Sequence, residues 1–162
     1  MTKPRRLGIS GHQKLPPHTA ELLDTALREL LISYEPATLV GVSCLCDGAD
    51  QLFAHAVLDR GGTLQVIVPA EEYRDSLAPE AQPRYDDLIS RAACVERLPF
   101  KESTETAHLA GGKAVVERSD LLVAVWDGAP ARGLGGTADI VAYARQRGIP
   151  VEVIWPPGSS RD

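Results

Sequence analysis

An apolar run from Leu121 to Trp126 ends abruptly at Asp127 and Gly128, crosses a loop of small residues, and opens a helical pattern at Gly135, Gly136 and Thr137. A buried strand feeding a glycine loop at a helix N-terminus is the unit from which parallel α/β sheets are built. The junction also constrains chemistry. It carries unpaired backbone N–H groups and the positive end of a helix dipole, which together suit a phosphate or another anion. Glycines that only make a tight turn give the same local sequence, so one such loop decides little.

The chain uses the pattern three times. A second apolar run begins at Leu39 and passes through Ser43, Cys44 and Cys46 to Gly48. A helical pattern follows over residues 51–60, with Asp47 or Asp50 placed to cap its start. A third run, from Leu7, reaches Ser10, Gly11 and His12, and its helix begins after Pro16 and Pro17 with Thr19 as a candidate cap. No loop reads Gly-x-Gly-x-x-Gly opening directly into a helix, which excludes the dinucleotide fingerprint.

Extended along the chain, periodicity predicts strands at residues 6–10, 38–44, 64–68, 94–97, 121–126 and 151–154. Helices are expected at residues 19–34, 51–60, 79–93, 104–119 and 138–147, the third interrupted by Pro83. Gly61 with Gly62, and Gly148, stop two of them. Right-handed crossovers then give one α/β domain over residues 1–162. The expected architecture is a doubly wound, Rossmann-like, mainly parallel sheet of about six strands with helices on both faces. Residues 156–162 read as a frayed tail.

Composition narrows the function classes. The balance of 44% hydrophobic and 24% charged residues is that of a globular protein, and no apolar run approaches a membrane span or a signal-peptide core. A cytoplasmic protein is expected. A net charge of −5 argues against broad nucleic-acid binding, since the one basic cluster, Lys3, Arg5 and Arg6, sits at a terminus. Three cysteines fit a reducing compartment; Cys44 and Cys46 are too close along one strand for an easy disulfide, and Cys94 is isolated. His12, His18, His55 and His108 are scattered, so no dedicated metal site is expected, although Mg2+ could accompany a ligand's phosphates. No Gly-x-Ser-x-Gly elbow is present.

In doubly wound sheets ligands bind beyond the carboxyl ends of the strands, near the switch in strand order. That places Ser10, Gly11, His12, Ser43, Gly48, Asp50, Asp127, Gly128, Gly135, Gly136 and Thr137 around one candidate site, with Pro69 and Tyr73 as a wall. The glycines would admit phosphate, or serve turns alone. Ser10, Ser43 and Thr137 are hydroxyl donors or local caps. Asp50 contacts ribose or caps a helix, and Asp127 is a ligand contact or general base, or closes an Asx-turn. His12 is a donor or acid, or an exposed loop histidine. Lys113 and Arg132 are the cations nearest a phosphate, and Trp126 stacks on a base or belongs to the core.

These residues resemble a known superfamily. The run from Ser43 to Asp50, with Ala54, His55, Ala56, Leu58, Gly61, Gly62 and Thr63, is similar to the matching run of the DNA-processing protein DprA/Smf. Lys113 and Ala114, then Ser119 to Val125, and later Gly136 and Thr137, resemble the LOG phosphoribohydrolases once named lysine decarboxylases. Both belong to the SLOG superfamily, and the resemblance spans Gly8 to Ile154. It implies a Rossmann-like domain that binds nucleotides or nucleotide-derived ligands and forms a homo-oligomer. The LOG glutamate, counted from Thr137, falls at Ile140, and the LOG arginine falls at Gly112.

Three functions are thereby in contention. The first is a sensor or processing domain that binds a nucleotide-like phosphate ligand at the carboxyl edge. The second is a phosphoribohydrolase cleaving the N-glycosidic bond of a nucleoside monophosphate, with Asp127 or Asp139 as the acidic group. The third is a non-catalytic oligomeric interaction module.

Overall fold

The computed structural model describes residues 5–131 and 133–161. Strand β1 (Arg5–Gly11) leads to helix α1 (Pro17–Leu31), β2 (Leu39–Ser43), α2 (Ala49–Asp59) and β3 (Thr63–Ala70). Short α3 (Tyr73–Ser76) and α4 (Gln82–Ser90) precede β4 (Cys94–Phe100). Helix α5 (Glu105–Glu117), β5 (Leu121–Val125), α6 (Thr137–Gln146) and β6 (Val151–Ile154) complete the fold.

All six strands join one parallel sheet in the order β4-β3-β2-β1-β5-β6. Alternation along each strand feeds two cores, as a sheet covered on both faces requires. In β5, Val123 and Val125 pack with Leu23, Leu27 and Phe53 of α1 and α2, while Leu122 and Ala124 pack with Val115 of α5 and Ile140 of α6. The chain steps outward from β1 to β4, then returns to the other side of β1 at β5. The switch in order therefore lies between β1 and β5, whose last registered pair is Gly11 with Val125.

The expected strands are all present, and the differences lie at helix ends. Helix α1 begins at Pro17, because a proline in the first turn gives up no needed N–H and already has a helical φ. Thr19 is inside the helix and spends its hydroxyl elsewhere: Oγ1 donates to the Ser160 carbonyl at 3.0 Å and accepts from Ser160 N at 2.8 Å. The segment expected to fray is thus pinned against α1, with His18 Nε2 also 2.5 Å from the Gly158 carbonyl oxygen.

Neither Asp47 nor Asp50 caps α2; its N-cap is Gly48, and no side chain caps it. Asp47 pairs with Arg84 instead, at 3.4 Å. The helix expected over 79–93 is divided into a 3-10 turn at Pro79–Ala81 and α4, with Pro83 in the first turn of α4. The expected glycine stops hold: Gly61 and Gly148 adopt φ of 93° and 74°, and the next amide in each case reaches back into the helix.

Candidate functional site

Beyond the carboxyl ends of β1, β2, β3 and β5 lies a cleft of about 440 Å3. Its volume is in the range of small-molecule sites. Ser10 and Gly11 at the end of β1, His12 just after it, Asp50 at the start of α2, and Gly135, Gly136 and Thr137 at the start of α6 all line it. Pro69 and Tyr73 form the expected wall.

The other sequence candidates are placed differently. Ser43 is fully buried and accepts from Leu45 N at 2.9 Å. Gly48 borders a second hollow on the far side of its own loop, and its requirement is structural. At φ 91° a Cβ there would lie 2.7 Å from the His12 carbonyl oxygen, so only glycine lets the two loops meet. Lys113 holds its ammonium 5.1 Å above the Tyr143 ring, away from the cleft lining. Gly128 takes φ 84° in the turn after Asp127 and does not line the cleft. Trp126 is half-buried and donates Nε1–H to the Ala129 carbonyl at 2.8 Å. Lys3 and Arg132 lie outside the described residues.

At the switch point itself, His12 and Asp127 meet. His12, 5% exposed rather than a surface histidine, rests edge-on against Trp155 at 5.4 Å. Its Nε2 is 3.1 Å from Asp127 N and 3.3 Å from Asp127 Oδ1. An unprotonated Nε2 accepts the backbone N–H, whereas a protonated one faces the carboxylate, and one nitrogen cannot do both.

Asp127 closes an Asx-turn through Ala129 N at 2.9 Å, and its Oδ2 lies 3.6 Å from Arg161 Nη1. Burial by itself would raise its carboxyl pKa. The Ala129 amide, His12 and Arg161 outweigh that and hold it below the ordinary range.

The base of the cleft is less polarised. Asp50 is 4% exposed, and burial pushes its pKa from 3.8 to about 7 despite hydrogen bonds from Cys46, Ser43 and the Cys44 backbone. At neutral pH this carboxyl therefore exists in both protonation states. Burial likewise pushes the thiols of Cys44 and Cys46 well up, so both stay protonated and neither is a thiolate nucleophile. Cys94, by contrast, is exposed.

Several lining residues escaped the sequence reading. Glu105 and His108 come from the first turns of α5, and His108 sits 2.7 Å from Ser103 Oγ with its pKa lowered by burial against the opposing pull of Glu105. A signal for them existed: a helix that follows a strand starts at that strand's carboxyl edge, so its first turn faces the cleft. Arg161 also lines the cleft, and nothing local in the sequence marks it.

No protein-family model and no curated protein matches the sequence. The backbone, however, superposes on solved structures. DNA processing protein A of Streptococcus pneumoniae aligns over 96% of this chain and 52% of its own, at 20% identity and a TM-score of 0.72. The Helicobacter pylori protein of that name, described for its single-stranded DNA binding mode, aligns over 98% and 69% at 18% identity and 0.67. A molybdenum cofactor binding protein from Rippkaea orientalis aligns over 96% and 78% at 18% identity and 0.61. This chain has the SLOG-type Rossmann-like fold. It spans about half the length of the Streptococcus pneumoniae protein.

Within the SLOG-type fold, the two positions where the LOG resemblance would place an arginine and a glutamate touch each other. Gly112 and Ile140 both line the cleft, and a Cβ on Gly112 would lie 2.4 Å from Ile140 Cδ1. An apolar contact thus occupies the place of an ion-handling pair. Asp139, one residue earlier, accepts from Gly135 N at 3.0 Å and so staples the glycine loop. Adjacent helical residues point about 100° apart, which is why Asp139 does not substitute for a carboxylate at position 140.

Proposed function

We propose that this domain binds a small nucleoside phosphate, or a ligand derived from one, in the carboxyl-edge cleft. The observation that carries the reading is the convergence of the β1 loop and the Gly135–Gly136–Thr137 helix start on one hollow at the topological switch point. Tyr73 and Pro69 supply apolar wall for a base, and Asp50, carrying a proton part of the time at neutral pH, both donates and accepts hydrogen bonds. Proteins of the same fold described as binding single-stranded DNA and molybdenum cofactor support a ligand site on this fold.

Binding without glycosidic cleavage is the preferred form of the proposal, because Ile140 and Gly112 bring no charge to the LOG-type positions. A polynucleotide fits less well. Arg161 is the one Lys or Arg among the described lining residues, whereas a strand of nucleic acid is held by a row of cations with stacking aromatics.

The test is a thermal-shift titration with AMP, adenosine, ADP-ribose, free phosphate and an oligothymidine, with chromatography of the AMP sample for released adenine. A ligand at a hundred times its Kd adds about 2.7 kcal/mol, enough to raise Tm by several degrees. A shift with AMP and no adenine released is expected. A shift with oligothymidine alone, or with nothing, would overturn the proposal, and adenine release would move it to the hydrolase reading.

A further inference from the structure

Resting on that reading, we infer that Arg161, carried into the cleft by the C-terminal segment, is the residue that recognises the ligand's phosphate and sets its charge. The segment is built to deliver it. After Trp155 meets His12 edge-on, the chain crosses the start of α1, where His18 holds Gly158 and the fully buried Thr19 holds both backbone polar groups of Ser160. One residue later the Arg161 side chain, only 16% exposed, reaches the switch point.

The geometry of its partner is what points to a ligand. Elsewhere in this protein an arginine that owns a carboxylate grips it with both arms of its fork: Arg74 Nε and Nη2 each lie 2.7 Å from one Asp86 oxygen. Arg161 approaches Asp127 at 3.6 Å, too long for a hydrogen bond. Asp127 meanwhile spends Oδ1 on the Ala129 amide beside His12. The guanidinium is thus half-buried, oriented and attracted, while the Asp127 carboxylate does not match its planar set of donors two-for-two. A phosphate monoester oxygen pair supplies that match.

Charge sets the class further. With Asp127 ionised beside Arg161, and Glu105 also on the lining, one guanidinium serves a single terminal phosphate better than a chain of them. The ligand class is therefore a nucleoside monophosphate or comparable phosphomonoester, in preference to a polyphosphate.

The experiment compares AMP, ADP and adenosine binding by calorimetry to the full chain, for wild type, Arg161→Gln and Arg161→Lys. One charge-assisted contact corresponds to roughly a tenfold or greater change in affinity. Wild type should prefer AMP to adenosine by about that factor and gain nothing from the second phosphate of ADP. R161Q should lose the AMP preference and keep its adenosine affinity, and R161K should retain part of the preference as a point charge. An AMP-to-adenosine ratio unchanged in R161Q would overturn the assignment while leaving the cleft as a nucleoside site. No binding of any of the three to wild type would overturn the underlying reading and this inference with it. Far-ultraviolet circular dichroism of each variant separates a binding change from misfolding.

Discussion

Ile140 Cδ1 lies 2.4 Å from the point where a Cβ on Gly112 would stand, and through this contact α6 closes on α5 beneath the cleft. Ile140 is 1% exposed and embedded with Val115, Val116 and Val141, so it has little room to turn aside. The pair fills with hydrocarbon a place that the LOG resemblance would give to two charged side chains.

Gly112→Ala sets two effects against each other. Replacing a mid-helix glycine gains about 1 kcal/mol of helix propensity, while overpacking a tight core costs about 1–3 kcal/mol. The contact distance says that overpacking wins, so G112A should lose about 1 kcal/mol in urea unfolding. In an Ile140→Ala background the obstruction is gone and the same change should become stabilising. Equal effects in both backgrounds would show that the two residues do not couple.

Asp50 predicts a pH slope. Its folded-state pKa is raised from 3.8 to about 7, so between those values the folded chain holds a proton that the unfolded chain has released. Stability from this group is therefore complete below about pH 4, falls as pH rises toward 7, and changes no further above it. Asp50→Asn cannot ionise and should remove the slope. The difference in unfolding free energy between D50N and wild type should shift in favour of D50N by on the order of 2–4 kcal/mol from pH 4 to 8. Parallel curves across that range would mean that Asp50 ionises as an ordinary exposed carboxyl does.

Thr19→Val tests the docked segment. Valine keeps the shape of threonine but leaves Ser160 without its two partners, at a cost of roughly 1–3 kcal/mol. Hydrogen exchange at the Ser160 amide should quicken, with exchange in the middle of α1 changed only in proportion to global stability. Unchanged protection at Ser160 would mean that the segment is held by other contacts.

Much of the site was legible in the sequence, for a specific reason. Ser10 and Gly11 end a strand, Asp50 and Thr137 open helices, and in a parallel sheet every such strand-to-helix junction falls on one edge. Lys113 carried the right charge, but its side chain leaves α5 about 100° round from Gly112, which lines the cleft, and meets the Tyr143 ring instead. Gly48 had the right residue type for phosphate, yet its missing side chain makes room for the His12 backbone.

Element type and order were determined by the sequence alone, because periodicity, glycine stops and proline starts act over a few residues and need no distant partner. The six strands, the carboxyl-edge cleft and the absence of a dinucleotide loop all follow from such local signals. Tertiary structure decided the rest. His12 and Asp127 stand 115 residues apart in the chain, Thr19 and Ser160 141 apart, and their meeting depends on where β5 returns to the sheet and how the last segment lies across α1. Burial is likewise a property of the assembled fold. It lifts the pKa of Asp50, turns Gly112 and Ile140 into one contact, and carries Arg161 to the switch point.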